Sequence, residues 1–186
     1  MKDSYEWGPP PPQKPDNIPE FGFAKFTETD QSFVPIKEQS RVGYIHYVKR
    51  PGWEGYVRCI GEGCEFCNQP GQKREERVFL PGYLLEEARI GIFSVTDLRR
   101  PGSLLPQLER VLCSDEKVMI TVRRTSMTTF KVRTQSLNPG DDDGEAAIEQ
   151  FRKKCDAGEI NTLTVTPAYT EAEIAGLSVT PALCAR

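Results

Sequence analysis

Three of the chain's six cysteines fall within nine positions, Cys59-x4-Cys64-x2-Cys67, and its single histidine, His46, lies thirteen residues before the first of them. No other feature restricts the fold as strongly, because three thiols meet at one point only if the backbone between them turns sharply. Gly61, Gly63 and Gly71 supply residues that turn without steric penalty. A structural zinc ion takes four tetrahedral ligands, and thiolates with one imidazole suit it. His46 completes a Cys3His set if its strand folds back onto the loop 59–71. Three other readings stand beside this one. The cysteine spacing also fits a plant-type [2Fe–2S] cluster with a distant fourth cysteine, for which Cys113 is the candidate. A catalytic thiol is the second, though one histidine leaves it without an obvious partner. The plainest is that these are free loop thiols and that His46 is an ordinary residue. Cys113, Cys155 and Cys184 otherwise read as buried or surface thiols.

The 186 residues suffice for one domain with extensions, and 38% hydrophobic content with 15 prolines suggests a globular centre with polar flanks. No apolar stretch is long enough to cross a bilayer, and the start MKDSYEWGPPPP lacks the apolar core of a signal peptide. The expectation is a cytoplasmic protein without membrane contact. In that reducing compartment clustered cysteines ligate metal more often than they form disulfides. The net charge of −3 conceals a division. Residues 41–137 hold 16 Lys/Arg against 11 Asp/Glu, while the remainder holds 8 against 16. A basic middle attracts phosphate, and acidic flanks can compete for it.

Residues 1–20 hold six prolines and read as a disordered leader. Phe21 to Glu38 shows aromatics without period, an irregular arm. From Arg41 to Lys49 apolar and aromatic residues alternate as in a strand. Further strands fit Gly55–Ile60, Arg77–Leu85 and Arg89–Thr96, and a hairpin fits Lys117–Arg124 with Thr129–Thr134. Leu104, Leu105, Leu108, Val111 and Leu112 form one face of a short helix. Asn138 to Gly144 is a linker. Helices follow at Glu145–Cys155 and Glu171–Gly176, the second opened by a Thr170/Glu173 capping box. This order gives a mainly β protein: a five-stranded OB-like barrel over residues 21–137 with a zinc loop at 59–71, then an acidic linker and small helical extension over 138–186.

Gly43-Tyr44-Ile45-His46-Tyr47-Val48, His46-x12-Cys59 and Cys64-x2-Cys67 together resemble the zinc-containing single-stranded-DNA-binding proteins of T4-type bacteriophages. The stretches KREERVFLPGYLL and VMITVRRTSMTTFKV look like the core of that family, and the similarity covers residues 33–137. It implies an OB-fold, a structural zinc ion on His46, Cys59, Cys64 and Cys67, and sequence-tolerant binding of single strands during phage replication, recombination or repair. The chain differs from the family in a shorter Cys59–Cys64 interval, a proline-rich rather than basic leader, and an acidic run, Asp141-Asp142-Asp143, that is internal.

Single-strand binding needs cations for phosphates and flat side chains for unpaired bases. Arg50, Arg58, Lys73, Arg74, Arg77, Arg123, Arg124, Lys131 and Arg133 are the candidate cations. Trp53, Tyr56, Phe79, Tyr83 and Phe130 are the candidate platforms, with Trp53 foremost because it lies in a Pro-Gly turn. Neighbours on a strand face opposite ways, so at most one of Arg123 and Arg124 lines a groove. The expected partner is single-stranded DNA, with replication or recombination proteins recruited by the C-terminal extension. No nucleophile with paired carboxylates, phosphate-cradling glycine loop or open metal position argues for an enzyme. An adaptor docking through its zinc loop is the alternative, and an iron–sulfur electron carrier a further one.

Overall fold

Alternating β-branched and aromatic residues give eight strands: β1 (Phe21–Ala24), β2 (Gln31–Pro35), β3 (Arg41–Arg50), β4 (Trp53–Arg58), β5 (Arg74–Leu84), β6 (Arg89–Thr96), β7 (Val118–Arg124) and β8 (Phe130–Ser136). Three helices join them: α1 (Leu104–Leu112), α2 (Glu145–Asp156) and α3 (Glu171–Ser178). The structure, a computed structural model, describes residues 21–114, 116–138 and 144–178. The proline-rich leader, the Asp141-Asp142-Asp143 run and Cys184 lie outside the described residues.

All eight strands belong to one mixed sheet, ordered β1-β6-β5-β2-β7-β8, with β3 and β4 branching from β5. The branch lies within β5 itself. Its first half, Arg74 to Phe79, pairs with β3, and Gly82 to Leu84 pair with β2. Pro81 sits where the partner changes, a place that tolerates a residue with no N–H. Its carbonyl accepts from Ile36 N–H at 2.9 Å, steering the chain from β2 toward β3.

The expected mainly β character holds, but in place of a five-stranded OB-like barrel the described residues form one open eight-stranded sheet. Among the described residues β1 pairs only with β6, in parallel, and β8 only with β7. The first residue of β8 is capped by the segment that opens α1. Phe130 N–H donates to Gly102 O at 2.9 Å, and Gln107 Nε2 donates to Phe130 O at 3.1 Å. The irregular arm at 21–38 is also corrected, since it contains β1 and β2. They are four and five residues long, too short for alternation to show in the sequence.

The main core lies between the sheet and α1, where Leu104, Leu105 and Leu108 pack among Phe33, Leu80, Phe93 and Ile120. α2 closes a second cluster with Ile148 and Phe151 on Val34, Ile36 and Ile90. The chain then turns through a 3₁₀ segment, Thr162–Val165, which lays Leu163 and Val165 on Ile45, Phe79 and Ile92. Arg58 N–H donates to Pro167 O at 2.8 Å, so the chain passes the edge of β4. α3 settles on the other side, with Ile174 buried among Val48, Val57, Cys64 and Phe66. Ile45 and Val48 point to opposite faces of β3, so this segment grips the β3–β4 hairpin from both sides. The expected capping box is present: Thr170 N–H donates to Glu173 Oε2 at 2.7 Å and Glu173 N–H to Thr170 Oγ1 at 3.2 Å.

Candidate metal centre and cation–aromatic groove

The β3–β4 hairpin registers His46 against Val57, two residues before Cys59, and Cys59 N–H extends the ladder to Tyr44 O at 2.8 Å. The loop beyond is a run of turns: Cys64 N–H bonds Gly61 O at 3.2 Å and Cys67 N–H bonds Cys64 O at 3.2 Å. Gly61 and Gly63 hold φ of 80° and 79°, which residues with a β-carbon adopt only with strain. β5 returns the chain beside His46, pairing it with Arg74.

These constraints bring the ligand atoms of His46, Cys59, Cys64 and Cys67 within 4.8 Å of one another. Cys59 and Cys67 sulfurs are 3.4 Å apart, and His46 Nε2 is 3.6 Å from both the Cys64 and the Cys67 sulfur. A tetrahedron with metal–sulfur bonds of about 2.3 Å and a metal–nitrogen bond of about 2.0 Å has edges of about 3.5–3.8 Å. The four residues therefore fit one metal ion. His46 is fully buried, and its Nδ1 lies 3.2 Å from Lys73 O. A proton on Nδ1 donated to that carbonyl leaves the Nε2 lone pair facing the thiols, as a ligand requires.

The three thiols hydrogen-bond to one another, and this shifts two of them in opposite directions. Hydrogen bonding to Cys59, then burial and Cys64, pushes the Cys67 thiol up to about 11. Burial is the largest influence on Cys64 and opposes its ionisation. Hydrogen bonds to the backbone at Phe66 and Ile60 and to the other two thiols outweigh it and lower the value. A bound cation would favour the ionised form of all three thiols. Cys113 stands at the C-cap of α1, outside the quartet.

The candidate nucleic-acid residues separate into four places. Tyr56, Arg77, Arg124 and Phe130 line a cavity of about 340 Å³ together with Phe23, Lys25, Phe26 and Met127. Arg77 lies 5.2 Å from the Tyr56 ring centroid and donates to Thr96 Oγ1 at 2.6 Å and Glu75 Oε2 at 2.7 Å. Tyr47 meets Tyr56 edge-on at 5.3 Å, continuing the aromatic strip. Phe130 is half-buried, its ring 5.9 Å from Phe26, and belongs as much to the core as to the cavity wall.

Arg123, Lys131 and Arg133 form a second group on the outer face of β7–β8, where Asp30 pairs with Arg133 and lies 3.7 Å from Arg123. Only Arg124 of the 123/124 pair reaches the groove. Arg50, Trp53, Arg58, Lys73 and Arg74 surround the metal loop. Arg50 is held by Glu171 and Gln69, and Arg74 lies 3.6 Å over the Tyr44 ring. Trp53 is not the free platform its turn suggests. It is half-buried, edge-on to Tyr169 at 6.0 Å, with its ring 3.1 Å from where a β-carbon on Gly55 would stand.

Two aromatics are corrected to packing residues. Phe79 has no exposed surface and lies in the core beneath Leu163 and Val165. Tyr83 is half-buried beside α2 and covered by Gly144. Phe23, Tyr47 and Met127, at 42%, 43% and 93% exposure, are groove and strip residues the sequence did not single out. Tyr47 was available from the alternation of β3; Phe23 depends on a parallel pairing with β6 that no local pattern announces.

Fold and site define a mainly β protein with a candidate Cys3His metal centre. No protein-family model, no curated protein and no solved structure matches the chain. No helix among the described residues is long and apolar enough to cross a membrane.

Proposed function

We propose that this protein binds single-stranded DNA with little sequence preference, around a structural zinc ion, and is not an enzyme. The observation that carries the reading is the groove lined together by exposed aromatics and by arginines: Phe23 and Tyr56, Arg77 and Arg124. Bases stack on the rings, at about 1–3 kcal/mol each, while the guanidinium groups meet phosphates. A run of strands, one helix between β6 and β7 and then a two-stranded hairpin is the element order expected of an OB-type core, which supports the resemblance drawn from the sequence. Zinc is the ion that three thiolates and one imidazole in a closed tetrahedron suit best, and its part is structural. The quartet surrounds one centre without Cys113, which favours zinc over a two-iron cluster.

The test is a titration of fluorescein-labelled oligothymidine with the zinc-loaded chain at two salt concentrations. Affinity should fall steeply with salt, the logarithmic slope counting the phosphates neutralised. Absence of binding, or binding indifferent to salt, overturns the reading. Zinc analysis and a spectrum free of visible bands separate it from an iron–sulfur carrier.

A further inference from the structure

α3 rests on Val48 and Val57 of the β3–β4 hairpin, and its polar contacts come from the metal loop and its immediate neighbours. Glu65, beside Cys64, accepts Glu171 N–H at 2.8 Å. Gln69, two residues after Cys67, donates to Glu171 Oε1 at 2.7 Å and accepts from Arg50 Nη2 at 2.7 Å. Arg50 closes the triangle by pairing with Glu171. Beneath it Ile174, without exposed surface, packs on Cys64 and Phe66. A helix of eight residues has little stability of its own and exists by docking. The loop it docks on has no regular structure, only turns of 3.2–3.3 Å hydrogen bonds. The four ligands are what give that loop a shape.

We infer that the metal centre is a latch for the C-terminal helix. The bound ion holds the loop in the form α3 fits, and loss of the ion releases residues 168–178 and uncovers Arg50 and Trp53. The latch rests on the metal reading of the quartet and does not depend on what the groove binds. Coupling between two sites is reciprocal, so a docked α3 also slows loss of the ion.

Hydrogen exchange on the zinc-loaded full-length chain, before and after treatment with a chelator, tests this. Amides of α3 should exchange at least tenfold faster once zinc is removed, while those of α2 and of β5–β6 keep their protection. In a Trp7→Phe background, which leaves Trp53 as the one tryptophan, emission should shift to the red at the same time. Ile174→Ala and Glu171→Gln should each speed zinc transfer to a chromogenic chelator several-fold while the amides of α2 and of β5–β6 keep their protection. Three results overturn the latch: α3 protection unaffected by zinc removal, protection lost equally from β5–β6, or zinc transfer unaltered in both variants. Failure of the chain to bind zinc at all overturns the metal reading as well, whereas those three leave it standing.

Discussion

Each ligand of the metal centre is fixed by something adjacent: His46 by the Lys73 carbonyl, Cys59 by the end of a ladder, Cys64 and Cys67 by consecutive turns. His46→Ala or Cys64→Ala should therefore abolish zinc binding and lower the melting temperature by roughly 5–10 °C, read by metal analysis and a thermal scan. Retention of one zinc per chain in either variant would contradict the assignment. Two aromatics on one face of the sheet separate binding from packing. Tyr56→Ala should weaken oligothymidine binding by about 1–3 kcal/mol with little change in stability. Phe79→Ala should cost about 3–5 kcal/mol of stability, read by urea unfolding. The quartet was legible in the sequence because ligand chemistry and short spacings are local facts. The fates of Tyr56 and Phe79 were not. Alternation gives a residue's face, but only the fold shows that Leu163 and Val165 cover Phe79 and leave Tyr56 exposed.

At the scale of elements, α3 depends on one carboxylate. Hydrogen bonding from Arg50, then from Gln69, holds the Glu171 carboxyl below its ordinary value. A depressed value means the ionised form stabilises docking above the ordinary carboxylate range, and that contribution fades as the pH falls through the lowered value. Exchange of α3 amides should accelerate on acidification, and Glu171→Gln should flatten that part of the profile. An equally steep profile in the variant would assign the effect elsewhere. The helix was legible from its capping box, a signal of four residues. β1 and β2 were not, because they are short and take their order from pairing with β6, β5 and β7.

Among the described residues the sheet ends at β1 and β8, and charge guards the second of them. Lys131 and Arg133 stand exposed on β8, the kind of residue that keeps an edge strand from recruiting another chain. Replacing both with valine should leave the melting temperature nearly unchanged and raise aggregation, measured by light scattering on prolonged incubation. Unaltered solubility would show that the α1 cap on β8 suffices. The sequence conveyed the dominance of strands and the basic middle, yet not the openness of the sheet. That openness follows from β5 serving two partners along its length, a long-range arrangement.

The four ligands lie between residues 46 and 67, whereas Glu171 meets Glu65 across 106 positions and Arg50 across 121. A ribosome releasing this chain from its N-terminal end therefore delivers the complete ion-binding hairpin long before the helix that fastens it. On the proposed latch, ion capture belongs to the nascent chain and fastening to the finished one.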